Sequence, residues 1–183
     1  MTVFVALLRA VNVGGRTLPM ADLRGLCETL GFEDVRTFIQ SGNVVLRSPV
    51  HDRRRVREQI EAAIEDRFGF KSEVMIRTAE DLRRLIARNP FPDVAEAEPT
   101  RLVVAFLTAP AADDAPARLE AVYKGPERAR FVGEDIYVHF PNGQGESKLT
   151  PAVLQKASGV PGTARNWNTV GMLLAMAEAL EGS

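Results

Sequence analysis

The chain has 183 residues, of which 45% are hydrophobic and 26% charged, and its formal net charge is −1. That balance describes a globular chain long enough for one large domain or two small ones, without the global positive field of a dedicated nucleic-acid binder. The single cysteine, Cys27, excludes an internal disulfide and suits a reducing cytoplasm.

Thr2 to Val11 is apolar almost throughout and reads as a strand buried on both faces. The run is short, lacks a basic leader and meets Arg9, so it is read neither as a signal peptide nor as a membrane span. Asn12 to Arg16 follows as a loop around Gly14 and Gly15. Pro19 suits the first position of a helix, whose stripe of Met20, Leu23, Cys27 and Leu30 ends at Gly31. On that stripe Cys27 reads as a core thiol rather than a nucleophile.

Val35 to Arg47 reads as a hairpin, two alternating runs around a turn at Gln40, Ser41, Gly42 and Asn43. Val35, Thr37 and Ile39 are placed on one strand face, Val44 and Leu46 on a face of the next. Asp52 to Phe68 is an amphipathic helix with Val56, Ile60, Ile64 and Phe68 every four residues, and Glu73 to Arg77 is a short strand. Thr78 with Asp81 resembles a capping box that opens another helix. Asn89 to Pro99 carries Pro90, Pro92 and Pro99 among acidic residues and reads as a linker.

The second half repeats the order without repeating the residues. Arg101 to Thr108 is a strand, and Pro116 to Tyr123 a helix. Arg128 to Val132 and Ile136 to Phe140 form a hairpin. Thr150 and Pro151 cap a helix closed by Gly159, Gly162 to Arg165 is a last strand, and Asn168 to Leu180 a final helix. The expected fold is therefore α+β: two ferredoxin-like (βαββαβ) subdomains with antiparallel sheets, plus a C-terminal helix. The expected boundaries are 1–78, a linking helix and Pro-rich linker over 79–99, and 100–183.

This topology places strand one between strands three and four, so the end of the first strand neighbours the start of the third. Arg9, Asn12, Gly14, Gly15 and Arg16 should then lie beside Gln40, Ser41, Gly42 and Asn43, at the end where the first helix begins. Arginines, amides, a hydroxyl and glycine amides, with no nearby carboxylate in sequence before Asp22, suit an anion. The competing reading takes the glycines as turn residues, Asn12 as a cap and Arg9 as a solvated side chain. In the second half, the loop from Asn142 to Lys148 and the end of the last strand leave one sheet edge. They bring Lys148 toward Arg165, Asn166, Trp167 and Asn168, unless Trp167 is a core plug and an asparagine the cap of the final helix.

Other constellations carry less. Arg53, Arg54 and Arg55 open a helix against its dipole and mark a surface patch or simply a solvated face. His51, His139 and Cys27 have no metal-ligand spacing, so neither metal nor cofactor is expected. Ser41 lacks the frame of a nucleophile elbow. Phe4, Phe38 and Tyr137 fit core packing better than an RNA-recognition sheet, which leaves nucleic acid disfavoured.

Three stretches, Leu8 to Gly15, Thr37 to Val44 and Arg165 to Thr169, together resemble the bacterial domain of unknown function 1697 family along essentially the whole chain. Ala10 stands where the resemblance leads us to expect glycine, and Phe38 where tyrosine is common. The resemblance implies two ferredoxin-like subdomains and no established activity. Its motifs coincide with both polar clusters. The expected function is therefore binding of an anionic, phosphate-bearing or nucleotide-like small molecule by Arg9, Asn12, Gly14, Gly15, Arg16, Gln40, Ser41 and Asn43. Lys148, Arg165 and Asn168 would complete the site if the halves fold it inward. Two alternatives stand beside it: a phosphoryl-transfer or hydrolytic enzyme, with catalytic residues unknown and Glu146 the nearest base, and a protein-interaction module whose motifs are structural.

Overall fold

Val3, Phe4, Val5, Ala6, Leu7 and Leu8 are all buried, and they form β1 (Thr2–Leu8), the strand on which the first half is built. The computed structural model describes residues 1–183. After β1 come α1 (Met20–Thr29), β2 (Glu33–Phe38), β3 (Asn43–Ser48), α2 (Arg53–Phe68) and β4 (Val74–Arg77). The strands form a four-stranded sheet in the order β2-β3-β1-β4, with β1 antiparallel to both neighbours. One face of β1 (Phe4, Ala6, Leu8) packs with Leu23, Leu26 and Cys27 of α1 and with Val56, Ile60 and Ile64 of α2. Each such aliphatic side chain removed from water contributes about 1.5–3 kcal/mol.

The second half runs α3 (Ala79–Ala87), α4 (Pro92–Ala97), a 3-10 turn (Pro99–Arg101), β5 (Leu102–Leu107), α5 (Ala115–Val122), β6 (Arg128–Val132), β7 (Asp135–His139), α6 (Pro151–Ser158), β8 (Gly162–Asn166) and α7 (Trp167–Glu181). Its sheet has the order β6-β7-β5-β8, again antiparallel, with Val103, Ala105, Ile136, Val138, Leu119 and Leu154 in its core. The fold is α+β, with two sheets of ferredoxin-like order and a C-terminal helix.

The chain divides into two compact units, residues 1–84 with 172–183, and residues 85–171. Within the first unit two arginines hold the last turns of α7. Arg83 donates to Glu178 (2.8 Å) and Glu181 (2.7 Å), and Arg47 donates to the carbonyls of Leu180 and Ser183.

Helix ends follow the residues at them. The α1 terminus is a Schellman turn: Gly31 (φ +85°) donates to Glu28, Phe32 donates to Cys27, and Phe32 enters the core. Thr78 and Asp81 exchange reciprocal side-chain to backbone bonds at 2.9 and 3.1 Å, the capping box the sequence implies. Asp52 caps α2, Thr150 caps α6 and Asn166 caps α7. Four local expectations need correction. Pro19 is the residue before α1 and not its first helical position. β1 stops at Leu8 and not Val11, because Ala10 and Asn12 adopt positive φ. Ile39 leaves the strand face assigned to it, at φ +51° and 51% exposed. The stretch read as a linker from Asn89 to Pro99 contains α4.

Candidate functional site

The register of β1 on β3 ends at Leu7 opposite Asn43, and Leu8 then donates to the Gly42 carbonyl at 2.8 Å. This places the chain leaving β1 against the turn entering β3. Gly42 sits at φ +80°, and a Cβ there would lie 2.6 Å from Val11 and 2.8 Å from Leu8, so only glycine permits the approach. Asn43 is fully buried and donates to the Phe38 carbonyl and the Ser41 hydroxyl, both at 3.0 Å.

Asn12 holds the two loops together. Its Nδ2 donates to the Gln40 carbonyl (2.7 Å) and the Leu18 carbonyl (2.9 Å), while its Oδ1 accepts from the Leu18 amide (2.9 Å). The backbone of Asn12 donates to Arg16, and Arg16 to Val13, closing a tight turn in which Gly14 (φ +58°) and Gly15 (φ +82°) occupy the left-handed region. Both glycines are exposed, and their amides make no hydrogen bond within the chain. Arg16 and the Gln40 side chain are exposed at the same loops.

The charges are not arranged as the sequence alone led us to expect. Arg9 forms an ion pair with Glu73 at 3.2 Å, its amide donates to the Glu73 carbonyl, and its carbonyl accepts from Ser72 at 2.6 Å. The cluster therefore contains a carboxylate. The reason is the other flank of the sheet: Leu8 pairs with Val74, so the residue before β4 falls opposite the residue after β1. Both side chains are about a third to two-fifths exposed (32% and 43%), a setting in which such a pair is worth at most about 1 kcal/mol. Arg16 has no acid partner. It donates to the Lys71 carbonyl at 3.4 Å and lies 5.8 Å from the centre of the Phe70 ring.

In the second unit, His139 pairs with Leu102 and Asn166 with Val103, so β7 and β8 end at the same edge, as the topology requires. Arg165 is 6% exposed and turns into its own strand, donating to the Thr163 hydroxyl (2.7 Å) and the Ala164 carbonyl (2.9 Å). Burial pushes its guanidinium down to about 10. Lys148, Asn168 and Glu146 are all exposed. Asn166, in contrast, is used as the helix cap.

One cluster lay beyond the sequence reading. Glu127 accepts from the Tyr123 hydroxyl and, at 2.7 Å, from Ser147, whose oxygen in turn accepts from the Leu149 amide. The partners lie up to 20 residues apart with no motif joining them, so spacing carried no signal. Cys27 is fully buried in the first core, where burial, reinforced by Glu28, pushes its thiol up to about 12. No group of three or more His, Cys, Asp or Glu side chains is placed to hold a metal ion. No helix is long and apolar enough to cross a membrane.

A family model described as "Protein of unknown function (DUF1697)" matches residues 1–137. Among solved structures, the conserved bacterial protein SP0830 from Streptococcus pneumoniae is similar at 24% identity, covering 97% of this chain and 99% of that one, with a TM-score of 0.74. At that identity the likeness concerns the fold alone. No curated protein matches the chain.

Proposed function

The chain belongs to the DUF1697 family of proteins of unknown function, and from that premise we propose that it binds an anionic, phosphate-bearing small molecule at the paired loops of the first unit. The observation that supports this most is the Asn12 brace, which holds the Gly14 and Gly15 turn and the Gln40 turn in one arrangement before any ligand arrives. Preorganisation lowers the ordering cost of binding. Gly14 and Gly15 offer backbone amides without internal acceptors, Arg16 offers a guanidinium without an acid, and Gln40 offers an amide. Millimolar affinity needs about 4 kcal/mol, which two charge-assisted bonds of roughly 1.5–3 kcal/mol each supply. Arg9 contributes less than Arg16, since Glu73 already occupies part of it. Lys148, Arg165 and Asn168 belong to the second unit and are not part of this proposed site.

The test is a thermal-shift and calorimetric titration with pyrophosphate, nucleotides and phosphosugars, at low and high salt, on the parent and Arg16→Ala. Saturable binding by the parent that weakens at least several-fold in Arg16→Ala supports the reading. No response from any anion sinks it. The interaction-module reading gains support from exposed Val13 (57%) and Ile39 (51%) on the same two loops, and a blank anion screen would favour it. The enzyme reading, with Glu146 as base, is tested by phosphatase and nuclease assays with and without divalent metal.

A further inference from the structure

The two sheets have four edge strands, and two of them, β2 and β4, are blunted. β2 carries a register shift between Glu33 and Arg36, with Asp34 at φ +50°. β4 has only four residues, all buried. β8 pairs with β5 over five residues and continues directly into α7 at Trp167. Bulges, shortness and charged side chains are among the usual ways in which a sheet edge is protected from a further strand. β6 has no bulge, and its one such device is the positive charge of Arg128 and Arg130.

β6 (Arg128–Val132) pairs with β7 in unbroken register over all five residues, from Arg128 opposite His139 to Val132 opposite Asp135. Its backbone bonds to no other element. It contains neither proline nor glycine and is bounded by the Gly133 turn. Ala129 and Phe131 pack against the second core, which fixes the pleat and puts Arg128 and Arg130 on the other face. Both arginines are exposed, and neither has a carboxylate partner. Arg130 donates to the Ala129 carbonyl and lies 5.7 Å from the centre of the Phe91 ring, which holds its guanidinium beside the strand. Nearby Glu127 is committed to Tyr123 and Ser147.

We propose that the free edge of β6 receives an extended acidic peptide by strand addition, with carboxylates two residues apart facing Arg128 and Arg130. Main-chain bonds would supply the affinity and the alternate side chains the selectivity. A second copy of this chain fits less well. Antiparallel pairing of β6 with itself centred on Ala129 or Arg130 sets arginine across from arginine, and like charges directly opposite oppose pairing.

The experiment is fluorescence anisotropy with a labelled peptide of alternating valine and glutamate. Its controls are a valine and lysine counterpart and a glutamate peptide N-methylated on alternate amides. The glutamate peptide should bind saturably, and the N-methylated one should fail. Reversing the charge with Arg128→Glu and Arg130→Glu should weaken binding roughly tenfold or more, the equivalent of about 1.4 kcal/mol, and should admit the lysine peptide. Absence of saturable binding would overturn the proposal. Equal binding of the N-methylated peptide would overturn it too, by reducing the effect to surface charge. A concentration-dependent dimer by sedimentation that competes with the peptide would assign the edge to a second copy instead. The N-methylated control uses the unaltered protein, so the test survives a variant that fails to fold. Because β6 is in the second unit, its outcome is separate from that of the anion titration.

Discussion

Asn12 donates to the Gln40 carbonyl at 2.7 Å, a contact that joins loops 28 residues apart in the chain. Together with its two bonds to Leu18 it makes this side chain the fastener of the loop pair. Asn12 also sits at φ +55°, where asparagine is tolerated better than alanine. Replacing Asn12 with alanine should cost about 4–5 kcal/mol, combining three lost bonds of about 1 kcal/mol each with a left-handed penalty of about 1–2 kcal/mol. Asn12→Gly removes the bonds but keeps the backbone free, so it should cost less than Asn12→Ala. Urea melts of both variants check the order, and equal losses would mean that backbone conformation plays no part.

Ala10 makes the opposite case. It holds φ +55° at the position where the family resemblance leads us to expect glycine. An L-residue there costs roughly 1–2 kcal/mol, and glycine loses about 0.5–1 kcal/mol through the freedom of the unfolded chain. Ala10→Gly should therefore stabilise by about 0.5–1 kcal/mol, read as a raised melting temperature.

The Arg9 and Glu73 pair is partly exposed, so a double-mutant cycle to alanine should return a coupling below about 1 kcal/mol. If Arg9 belongs to the anion site, Glu73→Gln should release it and tighten anion binding, while Glu73→Gln combined with Arg9→Ala should not. Unchanged affinity in the single variant would remove Arg9 from the site.

Asp81 supplies an acid-sensitive contribution. Burial pushes its carboxyl up, but the Thr78 amide, Arg53, the Thr78 hydroxyl and Arg77 together outweigh this and hold it below its ordinary 3.8. A carboxyl depressed on folding contributes stability in full above its unfolded value, and the contribution is lost as pH falls through the folded one. Parent protein should lose stability as the pH drops below about 4, and Asp81→Asn should show a shallower loss over that window. Parallel curves for the two proteins would show that this carboxylate does not contribute.

Cys27 should resist a thiol reagent in the native state, since burial lifts it to about 12 and leaves little thiolate at neutral pH. Labelling should appear only along with unfolding in urea. Rapid labelling of the native protein would contradict the buried position.

Both strand orders were legible because the central strands are continuous apolar runs and most helices carry a stripe and a stop, whereas α4 hid among the prolines of a stretch that reads as a linker. From strand order alone the meeting of Asn12 with Gln40 followed. The same register also dictates Arg9 beside Glu73, but that requires looking to the β4 flank of β1 as well as the β3 flank. Ile39 continues the alternation of Val35 and Thr37 in sequence, and nothing in the pattern shows that its backbone has already turned left-handed. Arg165 looks like a surface cation in sequence, whereas Thr163 and Ala164 absorb its donors in a buried strand. The Tyr123, Glu127 and Ser147 contacts depend on loop packing, to which periodicity is blind.

Because the first unit draws its residues from both sides of the second, and Arg47 and Arg83 reach across to the last turns of α7, the order of completion during synthesis is set by connectivity. Residues 85–171 are made before the α7 turns that the first unit takes up. Arg47 and Arg83 can pair with Asp34 and Glu80 once residues 1–84 are made, and they gain their further acceptors only when residues 178–183 at the end of α7 follow.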